Sequence, residues 1–129
     1  MKASVTKTFT EKDIKTFAEL SGDTNPLHLD TEFAKRTRFG RPIVHGFLTA
    51  SLISAVLGTK LPGPGSIYLE QKIRFLKPVY IGDSVTAEVV ITEINHQKLL
   101  IKLATNCYNQ RNEKVVEGEA IILFEKIKD

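Results

Sequence analysis

The chain has 129 residues, 42% of them hydrophobic and 26% charged, with a net charge of +3; this describes one globular domain with a real core and leaves no room for two. The small positive charge, the absence of tryptophan and the lack of a basic block interleaved with aromatics exclude an obvious nucleic-acid binder, although the charge suits a ligand carrying several phosphates. One cysteine, Cys107, fits a reducing compartment, MKASVTKTFT lacks the apolar core of a signal peptide, and no run reaches membrane-spanning length; the expectation is a cytoplasmic protein with no membrane partner, or an organellar chain whose targeting segment has been removed.

Residues 4–9 alternate and form a short strand. Thr10 followed by Asp13 reads as an N-cap with an acidic residue at N3, and Ile14, Phe17, Ala18 and Leu20 recur at helical spacing. A first helix therefore runs from Glu11 to Ser21 and stops at Gly22. Next comes a polar bend in which Asp23, Asn25 and His28 fall within six residues around Pro26, which fixes φ and removes a backbone donor. A carboxylate and an imidazole on one stiff loop can act as a general acid/base pair. The structural alternative is that Asp23 caps a turn and His28 satisfies a backbone carbonyl.

Asp30 caps a second helix from Thr31 to about Thr37. Lys35, Arg36, Arg38 and Arg41 then place four cations within seven positions. Such a run is a solvated face, or a phosphate-binding patch if a phosphorylated ligand sits nearby.

Gly46 to Thr59 is the central helix, roughly 20 Å long at ~1.5 Å per residue. Phe47, Leu48, Leu52, Ile53, Val56 and Leu57 cover most of its circumference, which predicts burial on several sides. Ala50, Ser51, Ser54 and Gly58 make a stripe of small residues suited to close packing on a sheet or to a groove beside the helix. The first backbone N–H groups of this helix lack intrahelical partners and carry the positive end of its dipole, and Gly46 lets a ligand approach them. An oxyanion could be stabilised there. His45, next door, reads as structural.

From Ser66 the period changes to two. Ile67, Leu69, Ile73 and Phe75 alternate with Tyr68, Glu70, Lys72 and Arg74 up to Pro78 and the turn at Gly82 and Asp83. Further strands follow at Val85–Ile91, Leu99–Leu103 and Val116–Phe124, and short connections near Asn95–Gln97 and Gln110–Asn112 predict antiparallel hairpins. Cys107, in a strand-like run with no paired base, reads as a buried structural thiol. The fold class is α+β: an antiparallel sheet with one face to bury curves round a helix that must bury nearly everything. Exposed strand edges favour a homodimer.

Phe17, Leu20, Ser21, Gly22, Asp23, Asn25, Pro26 and His28, followed by Arg41, Pro42, Ile43, Val44, His45 and Gly46, closely resemble the MaoC-like (R)-specific enoyl-CoA hydratases, as do GSIYLEQKIRF and the run from Pro78 to Val89. The likeness covers nearly the whole chain, and several motifs in one order and spacing are more specific than any one of them. It implies a single hot-dog domain over residues 1–129, paired subunits, and reversible syn addition of water to trans-2-enoyl thioesters to give (R)-3-hydroxyacyl thioesters. It also implies that Asp23 and His28 are catalytic, that the Gly46 amide holds the thioester oxygen, and that Ser54 and Leu57 lie along the acyl tunnel. Asn25 would lock the bend or the water among the substrate-binding residues. Arg36, Arg38 and Arg41 would be candidates for the phosphates of coenzyme A, or for an acyl carrier protein thioester.

No cofactor or metal is expected, because His28 and Asp30 form an isolated pair without a third ligand and no Cys/His cluster is present. Two other readings stay open: an acyl-CoA thioesterase on the same fold, and a non-catalytic acyl-thioester binding subunit.

Overall fold

The computed structural model describes residues 1–125. Nine elements follow in order: β1 (Lys2–Thr8), α1 (Glu11–Ser21), α2 (Pro26–Leu29), α3 (Thr31–Lys35), α4 (Gly46–Thr59), β2 (Ser66–Phe75), β3 (Ser84–Asn95), β4 (Leu100–Tyr108) and β5 (Lys114–Phe124). The strands form one five-stranded antiparallel sheet in the order β1-β3-β4-β5-β2. This is the expected α+β, hot-dog arrangement, with α4 packed against β1, β2, β3 and β4.

The core lies between helix and sheet. Leu52, Ile53, Val56 and Leu57 of α4 meet Val85, Ala87 and Val89 of β3, Leu103 and Cys107 of β4, and Val116, Ala120 and Ile122 of β5. Burial pushes the Cys107 thiol up to about 12, as suits a packing residue that does not ionise.

Local signals account for the helix ends. The Thr10 hydroxyl accepts from the Asp13 N–H while the Asp13 carboxylate accepts from the Thr10 N–H, closing a capping box. Gly22, at φ 81°, takes the left-handed conformation that terminates α1. Asp30 caps α3 through the Phe33 N–H, so its carboxylate is spent on the backbone.

Several expectations need correction. Pro26 opens the short helix α2, because a proline at the first helical position loses no bond and the Asn25 side chain caps the Leu27 N–H. The second helix ends at Lys35 rather than Thr37. Leu99 precedes its strand, sitting at φ 59° in the turn before β4.

The burial pattern of β2 also differs. This strand lies at the sheet edge, and its register slips between Tyr68 and Glu70 so that Leu69 has no partner on β5. Ile67, Leu69 and Phe75 are exposed, as is Phe47 on the flank of α4. The opposite edge, β1, is different in kind. It carries Lys2 and Lys7, and its Thr6 and Thr8 hydroxyls bond across to Thr86 and Ser84 at 2.7 and 2.6 Å.

Candidate active site

The bend after α1 is built from its own side chains. Ser21 Oγ donates to the Phe17 carbonyl at 2.7 Å and accepts the Asp23 N–H at 3.1 Å; Asp23 Oδ1 accepts the Asn25 N–H at 3.2 Å. Asn25 in turn holds α2, which carries His28. The turn-forming reading of Asp23 is therefore correct as local chemistry. Its carboxylate remains solvent-exposed and keeps acceptor capacity to spare.

His28 is anchored across the chain. Its Nδ1 lies 2.7 Å from the Ile43 carbonyl, and a carbonyl only accepts, so Nδ1 carries the proton and Nε2 is left free. His45, the residue before α4, is almost wholly buried, and its Nε2 lies 3.0 Å from the Asp23 carbonyl. By the same reasoning His45 holds its proton on Nε2 and its Nδ1 is bare.

The two imidazoles stack with centroids 4.0 Å apart and planes at 30°, and the Phe17 ring packs tilted against His45 with centroids 4.8 Å apart. Burial is the largest influence on His45 and pushes its pKa below the ordinary 6.5, with the Asp23 carbonyl partly opposing it.

Polar atoms of Asp23, His28 and His45 all lie within 4.8 Å of one another. The third member is thus His45, and the sequence pairing of His28 with Asp30 is replaced, since Asp30 faces its own helix. One nitrogen of each ring is committed to a carbonyl and the rings lie face to face, a geometry that suits proton handling better than convergence on an ion.

Beside this cluster opens a cavity of about 650 Å³, lined by Asp23, Arg38, His45, Gly46, Thr49 and Lys77 among mostly apolar residues. Gly46 begins α4, and His45 supplies no side-chain cap, so the helix presents its first N–H groups there. A Cβ on Gly46 would come 2.8 Å from the Phe75 ring, so glycine is what lets this wall close down on the helix start.

A second groove of about 430 Å³ runs between α4 and β2 past Ala50, Ser51, Ser54, Tyr68 and Leu69. Ala50, Ser51 and Ser54 of the small-residue stripe face this groove; Gly58 is not part of its lining. Phe47 lines both spaces, and its ring meets Phe75 edge-on at 6.0 Å.

The remaining sequence-selected residues fall in different places. Ser54 lines the second groove, while Leu57 is buried in the core behind it. Arg38 reaches the first cavity. Arg36 closes the end of α3 with its guanidinium over Phe33, and Arg41 lies over Tyr80, 4.1 Å from the ring centroid. Nothing in the sequence singles out Thr49 or Lys77, and His45 reads there as structural, a weaker candidate beside Gly46. An imidazole directly before an uncapped helix start was the one signal available for it.

Comparison with known proteins shows the family and the fold. A family model described as MaoC like domain matches residues 1–113. An (R)-specific enoyl-CoA hydratase of Aeromonas caviae is 50% identical over 121 residues, covering 94% of this chain and 90% of that protein. A 3-hydroxybutyryl-CoA dehydratase of Methylorubrum extorquens is 46% identical, covering 93% and 76%. The solved structure described as an (R)-hydratase from A. caviae involved in PHA biosynthesis superposes with a TM-score of 0.94 at 48% identity, covering 97% of this chain and 95% of that one. With the family model spanning most of its length and close relatives matched nearly end to end, the chain belongs to the MaoC-like domain family.

Proposed function

We propose that this protein is an (R)-specific enoyl-CoA hydratase, a hydro-lyase that adds water reversibly to trans-2-enoyl thioesters and yields (R)-3-hydroxyacyl thioesters. The observation that carries the reading is the approach of the Asp23 carboxylate and the His28 and His45 rings to within 4.8 Å, next to a cavity that also holds the start of α4 at Gly46. The names of the relatives supply the reaction class and its (R) sense.

In this mechanism the thioester oxygen accepts from the Gly46 N–H, which draws electron density from C3 and stabilises the enolate-like transition state. Asp23 takes a proton from water as its oxygen bonds to C3. His28, with its Nδ1–H on the Ile43 carbonyl, orients that water through the bare Nε2 and relays the proton from Asp23 to C2, so that one water is added overall and both groups end as they began. The Nδ1–H bond to Ile43 aims the working nitrogen and leaves it free. Asn25 keeps both groups in place through the bend and α2.

The acyl chain runs past Phe47 along α4, with Ser54 at its side and Leu57 behind. Arg38, which lines the cavity, is the preferred contact for a coenzyme A phosphate. The chain works as one domain in the cytoplasm, in keeping with its single cysteine. No helix among the described residues is long and apolar enough to cross a membrane.

Two copies pair through the apolar edge formed by Ile67, Leu69, Phe75 and Phe47, which would otherwise face water. Incubation with crotonyl-CoA separates the rival chemistries. Hydration removes the enoyl absorbance without releasing thiol, a thioesterase releases thiol, and a binding subunit does neither. Thiol release without hydration would overturn the assignment.

A further inference from the structure

The ring of His28 takes its direction from a hydrogen bond that ends on the Ile43 carbonyl. That carbonyl belongs to the segment between α3 and α4, which forms no regular element longer than an isolated bridge. Backbone of this kind stays in place only as well as its neighbours hold it.

One residue holds the segment at three points. The Tyr80 hydroxyl donates to the Phe39 carbonyl at 3.1 Å. The Arg41 guanidinium lies over the Tyr80 ring, 4.1 Å from its centroid. Ile43 pairs antiparallel with Tyr80, and beside this bridge the Val44 N–H donates to the Val79 carbonyl at 2.7 Å. Tyr80 is itself a fixed post: its N–H donates to Asp83 Oδ2 at 2.9 Å and its carbonyl accepts the Asp83 N–H at 3.0 Å. Asp83 is buried, and its Oδ1 accepts from Gln110 Nε2 at 2.8 Å.

Arg41 is accounted for by the same contacts. A guanidinium over an aromatic face is attracted by the ring's negative π-cloud and gains packing for its stem. Arg38 and Phe39 line the first cavity, whereas Arg41 lines neither cavity. The Asp23 half of the site is held separately, its N–H on Ser21 Oγ and its Oδ1 on the Asn25 N–H. A loosened Ile43 therefore misdirects His28 and leaves Asp23 in place.

We propose that Tyr80 is a positioning residue: together with Arg41 it fixes the Ile43 carbonyl and, through that carbonyl, the direction of His28 Nε2. Arg41 then serves turnover and does not bind the phosphates of the substrate. The step affected rests on the hydratase reading; the run of contacts from Tyr80 to His28 does not.

The test uses Tyr80→Leu, which removes ring and hydroxyl, Tyr80→Phe, which removes the hydroxyl alone, and Arg41→Ala, at an exposed position. For each, kcat and KM are measured with crotonyl-CoA and with crotonyl-pantetheine, which carries no phosphate. The tautomer of His28 is read by NMR of the imidazole nitrogens near pH 8, where the ring is neutral. Tyr80→Leu should lower kcat by about tenfold or more, since small misplacements of a working group are costly, and Arg41→Ala by about threefold to tenfold. KM for crotonyl-CoA should stay within about twofold, and the fractional loss of kcat should be the same for the two thioesters. Tyr80→Phe, which keeps the ring under Arg41, should fall between Tyr80→Leu and the unmodified protein. His28 should hold its proton on Nδ1 in the unmodified protein and populate both tautomers in Tyr80→Leu. Should Tyr80→Leu not fold, Arg41→Ala carries the same comparison. A raised KM for crotonyl-CoA alone, with kcat kept, makes Arg41 a phosphate contact and overturns the proposal. So does unchanged turnover in the folded variants, or a His28 proton that stays wholly on Nδ1 in them. If the unmodified protein hydrates no enoyl thioester, the hydratase reading fails separately, and the tautomer of His28 still decides whether Tyr80 fixes it.

Discussion

His28 and His45 lie ring on ring with centroids 4.0 Å apart, yet they carry their protons on opposite nitrogens, His28 on Nδ1 and His45 on Nε2. The assignment follows from their carbonyl partners alone. It gives the stack a division of labour: the partly exposed ring keeps Nε2 free for exchange, and the buried ring stays neutral as a floor beneath it. Two imidazolium rings in such contact would repel, and burial of His45 is what prevents this.

That neutrality makes a pH prediction. The folded pKa of His45 is depressed below 6.5, so as pH falls the unfolded chain takes up the proton first and stability drops; above 6.5 this contribution is constant. Melting temperature followed from pH 8 down to pH 5 should decline below about 6.5. His45→Gln, whose amide can still donate to the Asp23 carbonyl, should flatten the decline. An unchanged slope in that variant would show that His45 is not the group responsible.

The anchoring and catalytic nitrogens of His28 can be separated. His28→Asn puts an amide donor near the Nδ1 position, so the bond to Ile43 survives while Nε2 is lost. It should keep the melting temperature within a few degrees and lower the rate of crotonyl-CoA hydration by about 10²–10⁴. Asp23→Asn should lose as much with an unchanged circular dichroism spectrum. Near-normal turnover in either folded variant would remove that residue from the mechanism.

Gly46→Ala tests the helix start. The added methyl would meet the Phe75 ring at 2.8 Å, but that ring is half-exposed and can swing away, so the fold should hold with a small change in Tm. The displaced ring and the new Cβ both intrude where the thioester oxygen is to sit. A fall in kcat/KM of tenfold or more is expected, about 1.4 kcal/mol of lost transition-state stabilisation.

Pairing through β2 predicts that Leu69→Lys, at the unpartnered bulge position, and Ile67→Lys shift the protein from dimer to monomer in size-exclusion chromatography with light scattering. Both side chains are about half exposed in the single chain, so neither change should unfold it. A dimer that persists in the double variant places the interface elsewhere.

The bounds of α1 were legible because a capping box, 3.6-residue periodicity and a terminal glycine are local properties, and α4 because an apolar run of its length is itself local. The same holds for Asp23 and His28, which share one bend. Pro26 misled because proline is compatible both with a turn and with a helix start, and only the capping bond from Asn25 decides. His45 escaped because its partners, the Asp23 carbonyl and the His28 ring, are joined to it only by the tertiary fold. The exposed side of β2 was hidden for a related reason. An alternating apolar strand reads the same whether its apolar face meets its own core or another surface, and strand order, which puts β2 beyond β5, is not written in its pattern.

The two margins of the sheet have further meaning together. One carries lysines and hydroxyl pairs already satisfied within the chain; the other exposes Ile67, Leu69 and Phe75 between the charges of Glu70, Lys72 and Arg74. If two copies pair through β2 as proposed, that edge is used up in one two-fold contact, and the assembly closes at two.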